Sequence, residues 1–104
     1  MIIYDPSNAA DATPGTTCDA RVESIDITAT CIAAQGADVP HHIVEGRSLL
    51  PFEHGKTPDD WRSFAISEYD YSATSMAKNL NFAPTDARIF MVATLKWKLS
   101  PDVV

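Results

Sequence analysis

The sequence predicts a mixed α/β fold, in which two or three short helices pack on a small and mainly antiparallel sheet. Residues 64–71 alternate in residue type and are rich in aromatic side chains, and residues 88–93 form a strongly apolar run, so both are predicted strands. Residues 96–99 alternate polar and apolar side chains, as a half-exposed strand does. The helical signals are all short, and a chain of 104 residues fits one domain.

The N-terminal part of the chain begins with a predicted strand and a loop. Met1-Ile2-Ile3-Tyr4 predicts a short strand, which Asp5-Pro6 ends with turn chemistry, and residues 7–20 predict a loop. Asp26 predicts the N-cap of a helix of about nine residues, because its carboxylate accepts free amide groups of the first turn. Gly36 predicts the left-handed residue that follows the end of this helix.

One face of this helix is expected to be apolar. Ile27, Cys31 and Ile32 recur at helical spacing, so we expect them to face the core. Cys31 is then expected to be a small buried apolar side chain rather than a reactive thiol. A helix this short is not stable alone and must pack on other elements.

Two further helix starts are predicted in the middle of the chain. Ser48 is expected to cap a one-turn helix with apolar side chains. Thr57-Pro58-Asp59-Asp60 supplies a cap residue, a proline in the first turn and acids at the positive end of a helix dipole. Trp61 is expected to anchor this second turn in the core.

Toward the C-terminus the signals are short and alternate between helix and strand. Residues 75–80 predict a helix, Pro84-Thr85-Asp86 a turn, and Thr94-Leu95 the hairpin turn between the last two strands. The aromatic side chains of this region and Trp61 are expected in the core and at interfaces rather than in a ligand box. They are Trp61, Tyr69, Tyr71, Phe90 and Trp97.

Composition excludes several classes of function. Acids outnumber bases 14 to 8, which gives a net charge of −6 and excludes a nucleic-acid partner and binding to an anionic membrane surface. No apolar run approaches the roughly 20 residues that span a bilayer. The start of the chain lacks the basic region of a secretory signal, and two cysteines make no disulfide framework, so we expect a cytoplasmic protein.

Few side chains are candidates for a site. His41 and His42 could bind a metal, but adjacent residues of an extended connector point in opposite directions, so a structural or exposed role is expected. Glu68 and Asp70 share one strand face, where a solvated or salt-bridged pair is expected rather than acid–base work or a cation site. Arg47 and Arg62 are candidate salt-bridge partners for these acids.

The order of these segments resembles the sulfatase family of the alkaline phosphatase superfamily, and in it phosphonate monoester hydrolases and related arylsulfatases. The resemblance covers nearly the whole chain and rests on the order and spacing of its motifs. The matching segments are Ile2-Ile3-Tyr4-Asp5-Pro6, Glu23-Ser24-Ile25-Asp26-Ile27, the helix ending at Gly36, Val39-Pro40, Glu45-Gly46-Arg47-Ser48-Leu49-Leu50-Pro51-Phe52, Asp60-Trp61-Arg62, Glu68-Tyr69-Asp70 and Trp97-Lys98.

The resemblance implies a C-terminal portion of an alkaline phosphatase-like fold. Residues 1–55 would be the end of its core and residues 56–104 a small C-terminal sheet region, together forming the single domain 1–104. The sequence departs from the family at Ala29, where relatives often have proline, and at Thr94-Leu95-Lys96, which replaces a more polar turn. The family's usual Asp-Pro-x-Glu segment is also missing, so we interpret the chain as a C-terminal fragment.

The family's chemistry needs a divalent metal and a nucleophile in a Cys/Ser-x-Pro-x-Arg motif, whose cysteine is oxidised to formylglycine. Cys18 is followed by Asp-Ala-Arg and Cys31 by Ile-Ala-Ala, so neither fits this motif. Glu53-His54-Gly55 resembles the family's Asp-His-Gly metal motif, but it lies downstream of that motif's place, and no metal role is expected for His54. No catalytic, cofactor-binding or metal-ligating residue is therefore carried over to this chain.

The resemblance implies a sulfatase-like C-terminal domain that is inactive alone and supplies scaffold or oligomer contacts to a metal-dependent sulfate or phosphoryl ester hydrolase. Its partner would be a second copy or an N-terminal sulfatase-like chain. Two alternatives stay open. One is an interaction module that completes a split hydrolase. The other is a small free-standing metal protein that uses His41, His42, His54, Glu68 or Asp70.

Overall fold

The computed structural model describes residues 1–81, 83 and 86–100 and divides the chain into two compact units, residues 1–62 and 63–104. The first unit holds a 3-10 helix at Asn8–Ala10 and the helices α1, Ile25–Ala34, and α2, Leu50–Glu53. The second unit holds α3, Ser75–Asn79, and three strands. These units differ from segments 1–55 and 56–104, which are divisions of the larger family fold and stay a prediction.

The three strands of the second unit form one antiparallel sheet in the order β1, Phe64–Asp70, β2, Arg88–Thr94, and β3, Lys98–Leu99. Phe64 pairs with Thr94 and Asp70 with Arg88, so β1 and β2 match over their full length. The mixed α/β class, the antiparallel sheet and the short helix after β1 are confirmed.

The hairpin between β2 and β3 forms later than predicted. The turn lies at residues 95–96, where the Thr94 amide donates to the Trp97 carbonyl at 2.7 Å. The Thr94 hydroxyl oxygen accepts the amides of Lys96 and Trp97 at 3.3 and 3.0 Å, which holds the turn without an Asn-Gly pair. The last strand is therefore shorter than the predicted 96–99. The turn predicted at Pro84 and Thr85 lies outside the described residues.

Helix α1 begins earlier than predicted and buries a different face. Its N-cap is Ser24, and Asp26 lies in its first turn, so the predicted N-cap is wrong. Its buried residues are Asp26 and Ala29, whereas Ile27 and Cys31 are exposed. The prediction of a buried Cys31 is wrong because the polar contacts of Asp26 orient the helix.

The end of α1 follows the prediction. Gly36 has a φ of 76°, and its amide donates to the carbonyl of Ala33 at 2.9 Å. The amide of Ala37 donates to the carbonyl of Ile32 at 3.3 Å, and these two bonds together are a Schellman motif.

The other predictions for the first unit have mixed outcomes. The predicted one-turn helix forms as α2, but its N-cap is Leu49 and not Ser48, so the predicted capping residue is wrong; the hydroxyl oxygen of Ser48 accepts the Leu50 amide at 3.3 Å from one residue further upstream. The predicted helix at Thr57–Asp60 is wrong, because the segment makes only a turn closed by the Trp61 amide and the Pro58 carbonyl at 3.2 Å. Met1–Tyr4 is not a strand, because no described segment pairs with its backbone.

Gly46 lets the chain pass directly beneath the start of α1. A Cβ atom at this buried position would lie 2.2 Å from the carbonyl oxygen of Ile25 and 3.0 Å from the amide nitrogen of Asp26. Both are backbone atoms and cannot rotate away. Only glycine therefore allows the Gly46-Arg47 segment to approach the helix.

We expect Gly46→Ala to lower the free energy of unfolding of the first unit by about 3 kcal/mol, because the clash must displace backbone. Gly36→Ala is the matched control, since its Cβ meets no atom within 4 Å and only its left-handed φ opposes the substitution. That variant should lose about 1 kcal/mol. Urea unfolding followed by circular dichroism measures both, and equal losses would contradict the close approach.

Candidate functional site

Asp26 is the ionisable group at the centre of the first unit, and its side chain is fully buried. One carboxylate oxygen accepts the Glu23 amide at 2.8 Å and Nη1 of Arg62 at 2.5 Å. The other accepts the Arg47 amide at 2.9 Å and Nη2 of Arg62 at 2.7 Å. Paired guanidinium–carboxylate bonds of this kind are short, directional and strong. We call Asp26 with these three residues the Asp26 cluster.

The local sequence explains how four donors reach one carboxylate. Asp26 stands in the first turn of α1, and its own amide donates to the carbonyl of Glu23 at 3.0 Å, so these two residues bond reciprocally like a capping box. Gly46 brings the neighbouring Arg47 amide close to the helix. Arg62 completes the cluster from the far end of the unit.

The cluster keeps Asp26 ionised. Burial by itself raises the pKa of Asp26, but the hydrogen bonds from Arg62 and from the Arg47 and Glu23 amides outweigh burial, so the pKa lies below its ordinary value of 3.8. The bond to Asp26 raises the pKa of Arg62. Glu23, 3.4 Å from Nη1, adds a second acid to the same guanidinium. Because both oxygens of Asp26 accept two bonds each, the carboxylate is a structural anchor and not a free base.

Trp61 lies beside the cluster and joins it to α2. Its ring meets Phe52 edge to face, with ring centroids 4.7 Å apart. Its indole N–H donates to the Arg21 carbonyl at 2.8 Å. The guanidinium groups of Arg62 and Arg47 lie 5.2 and 5.9 Å from the ring centroid, within cation–π range. These contacts confirm that Trp61 anchors its turn.

An open groove of about 540 Å³ lies next to Trp61, with His41 on its wall. Arg47 also lines it, but its Nη1 already donates to the Asp60 carbonyl at 2.6 Å and lies 3.6 Å from the Asp60 carboxylate. His41 and His42 are both exposed, as expected. The groove therefore has mixed walls, in which apolar side chains alternate with His41, Glu45 and the Arg47–Asp60 pair.

His54 is held by an acid rather than presented to a metal. Its Nε2 lies 2.9 Å from the carboxylate of Asp5, which also accepts the Ser7 amide at 2.8 Å. The Ser7 amide, and after it His54, lower the pKa of Asp5. The Thr13 hydroxyl also donates to the Glu53 carbonyl, so the N-terminal loop is bonded to the end of α2 at two places.

Asp70, one of the two acids of β1, forms a cross-strand ion pair. Asp70 lies 3.3 Å from Nε of Arg88, its register partner, and it accepts the Ser72 amide at 2.8 Å. Hydrogen bonds from Ser72 and then the Arg88 charge lower the pKa of Asp70. The salt-bridged strand face is confirmed for Asp70. The predicted pairing with Arg47 and Arg62 is wrong, because those two side chains bond to Asp60 and Asp26.

The donors do not fit the divalent-metal site that the resemblance implies for the whole family. Within residues 1–81, 83 and 86–100, no three His, Cys, Asp or Glu side chains come together. Cys18 and Cys31 are both free and exposed, outside any Cys-x-Pro-x-Arg sequence. The same described residues contain no helix of the length and hydropathy that crossing a membrane requires.

Sequence reasoning did not find the Asp26 cluster. Asp26 and Arg62 are 36 residues apart, and the local sequence around either residue does not predict that they bond to each other. One signal was present, since Asp26 lies among apolar and small residues, and a carboxylate that is buried with such neighbours must be hydrogen-bonded.

The solved structures that are similar to this chain include two phosphonate monoester hydrolases, and no family model matches its sequence. Phosphonate monoester hydrolase SpPMH from Silicibacter pomeroyi aligns with a TM-score of 0.73 and 32% identity, over 88% of this chain and 19% of that chain. The phosphonate monoester hydrolase of Agrobacterium radiobacter aligns with a TM-score of 0.61 and 22% identity, over 75% of this chain and 16% of that one. The chain therefore spans about a fifth of the hydrolases it matches.

The fold is that of a portion of the alkaline phosphatase superfamily, in its sulfatase-like branch. Within that class, the chain is similar to the phosphonate monoester hydrolases, with 32% identity to the Silicibacter enzyme over the aligned portion. The resemblance stated from the sequence is confirmed, and the share of the hydrolases that it covers is consistent with the predicted C-terminal portion.

We expect Asp26→Asn to lower the free energy of unfolding of the first unit by about 3 kcal/mol, because it removes the charged partner of the mostly buried Arg62 guanidinium and leaves only the more distant Glu23 beside it. Asp70→Asn, which removes one member of the exposed Asp70–Arg88 pair, should change stability far less. In a Trp97→Phe background, Trp61 fluorescence during urea unfolding reports on the first unit alone. If the two variants lost the same free energy of unfolding, the Asp26 cluster would not stabilise the first unit more than an exposed ion pair does.

The lowered pKa of Asp26 also makes the stability of the first unit depend on pH in the acid range. The stabilisation from its ionised form is fully present above the ordinary pKa of 3.8 and is lost as the pH falls from there through the lower folded value. Unfolding curves of the first unit at a series of acid pH values should show this loss in the natural chain and a shallower one in Asp26→Asn. If the free energy of unfolding fell equally steeply with pH in both proteins, the ionised form of Asp26 would not be the source of the loss.

Proposed function

We propose that the chain is the scaffold portion of a phosphonate monoester hydrolase-like enzyme and does no catalysis by itself. The observation that carries the proposal is the alignment with the Silicibacter hydrolase, which extends over 88% of this chain but only 19% of that enzyme. Because nearly all of this chain aligns with only a small part of the hydrolase, the chain fits a supporting portion of a larger active protein.

The contacts of the candidate residues support a structural role. The carboxylate of Asp26 has every acceptor position engaged, His54 is bonded to Asp5, and Asp70 is paired with Arg88. An acid–base group must be free to exchange a proton with a substrate, and these groups are committed to holding segments of the chain together. The hydrogen bonds and ion pairs of these side chains therefore support a structural role.

The reaction would be hydrolysis of a phosphonate, phosphate or sulfate ester. By resemblance, the formylglycine nucleophile and the divalent metal would come from another sulfatase-like polypeptide portion. This chain would present its surfaces to that portion or to a second copy. Free thiols at both cysteines agree with a cytoplasmic location, which is part of the same proposal.

The test is hydrolysis of nitrophenyl phosphonate, phosphate and sulfate esters with added divalent metals. We expect no turnover from the purified chain alone. We expect turnover when it is co-expressed with a Silicibacter hydrolase that lacks its matching fifth, and we expect Gly46→Ala to weaken this rescue because it disturbs the scaffold.

Metal-dependent turnover by the chain alone would contradict the proposal. Replacing His41, His42 and His54 together by alanine would then show whether these residues form the site. If neither the chain alone nor the co-expressed pair hydrolyses any ester, although both polypeptides are folded, the scaffold role is wrong for this hydrolase.

A further inference from the structure

Two tyrosine rings are in contact at the end of β1. Tyr69 and Tyr71 are two residues apart on extended chain, so their side chains lie on the same side of the backbone. Their ring centroids are 4.4 Å apart, and the ring planes are tilted by 60°. Tyr69 is 56% exposed and Tyr71 is half-buried, so small reagents in the solvent reach the pair.

The backbone holds both rings in place. Tyr69 is paired with Ile89 in the register of β1 and β2, and the Tyr71 amide donates to the Ala87 carbonyl at 2.6 Å. The Tyr71 carbonyl accepts the amide and the hydroxyl of Thr74, both at 2.7 Å. The two rings are therefore positioned beforehand, and little further freedom is lost when they react with each other.

The third tyrosine of the chain lacks such a neighbour. Tyr4 lies in the first unit and is 79% exposed, and no aromatic ring of the described residues is in contact with its ring. Tyr4 and Tyr69 thus both present a phenol to the solvent but differ in ring contact. The chain itself therefore supplies a matched control for a reaction that needs two adjacent phenols.

We propose that Tyr69 and Tyr71 are a site of oxidative modification, at which a one-electron oxidant of the peroxidase class joins the two rings as dityrosine. Each phenol gives one electron to the oxidant and its hydroxyl proton to water, which leaves two phenoxyl radicals. The radicals form one C–C bond between ring carbons next to the hydroxyl-bearing carbons, and each of these ring carbons then passes its hydrogen to its phenol oxygen. The electrons and protons that the chain loses reduce one hydrogen peroxide to two waters. The proposal is independent of the proposed scaffold function.

The contact directs the coupling to a single chain. In the product one C–C bond joins the rings, so their centroids lie two ring radii and one bond length apart, and the observed 4.4 Å is close to that separation. Rotation of the rings, rather than a new approach of the two residues, completes the geometry. A second copy would have to diffuse to the radical against the repulsion between two chains of net charge −6.

The experiment treats the dilute whole chain with a peroxidase and hydrogen peroxide and follows dityrosine fluorescence. We expect the product to keep the mobility of one chain in a denaturing gel, and the tryptic peptide 63–78, which carries both tyrosines, to lose the mass of two hydrogens. Tyr69→Phe and Tyr71→Phe each keep a ring for packing but remove one phenol, and each should lower the intrachain yield at least about tenfold. Tyr4→Phe removes an exposed phenol outside the pair and should leave the yield unchanged.

A free peptide of residues 63–78 tests whether the folded contact matters. It carries the same two tyrosines without the fold and should couple more slowly than the whole chain, while circular dichroism should show the natural fold in all three variants. The proposal is overturned if the free peptide couples as fast as the whole chain, if crosslinked dimers are the main product, or if Tyr4→Phe lowers the yield as much as Tyr69→Phe does. It is also overturned if peptide 63–78 of the treated chain loses no hydrogens under conditions that couple free tyrosine.

Discussion

The first unit depends on one buried carboxylate. Asp26 joins the start of α1, the Gly46-Arg47 segment and Arg62, three pieces of chain that sequence separates widely. A buried ion pair is not stabilising by default, because removing two charges from water costs several kcal/mol per ion. Here each carboxylate oxygen accepts two hydrogen bonds, so the burial is compensated. The contribution of this pair is to define a single arrangement of the three segments.

The buried apolar residues of both units are mostly small. In the described part of the chain they are Ala10, Ala29 and Leu49 in the first unit and Ala77 and Ala87 in the second. Four of the five are alanines, and burial of an alanine removes little apolar area from water. Large apolar side chains such as Ile27, Ile66 and Trp97 are instead exposed. Polar contacts that fix particular backbone positions therefore take a larger share in specifying the fold than they do in most domains.

The sheet could be predicted because its signals are local. Residues 64–70 and 88–94 carry the alternation and β-branched content that strands need, and they pair with each other at full length. The end of α1 was predictable for the same reason, since Gly36 alone supplies the left-handed conformation that the Schellman motif needs. The Asp26 cluster was not predictable, because its donors come from residues 23, 47 and 62 and only the folded backbone brings them together.

The wrong predictions in the first unit share a physical cause. Met1–Tyr4 has the composition of a paired strand, and Ile27 with Cys31 has the spacing of a buried helix face, yet both are exposed. Each signal describes an environment of apolar neighbours or backbone partners that the first unit does not supply. The chain also aligns with only a fifth of the Silicibacter hydrolase. In these two segments the local pattern therefore predicts burial that the described contacts of the first unit do not provide.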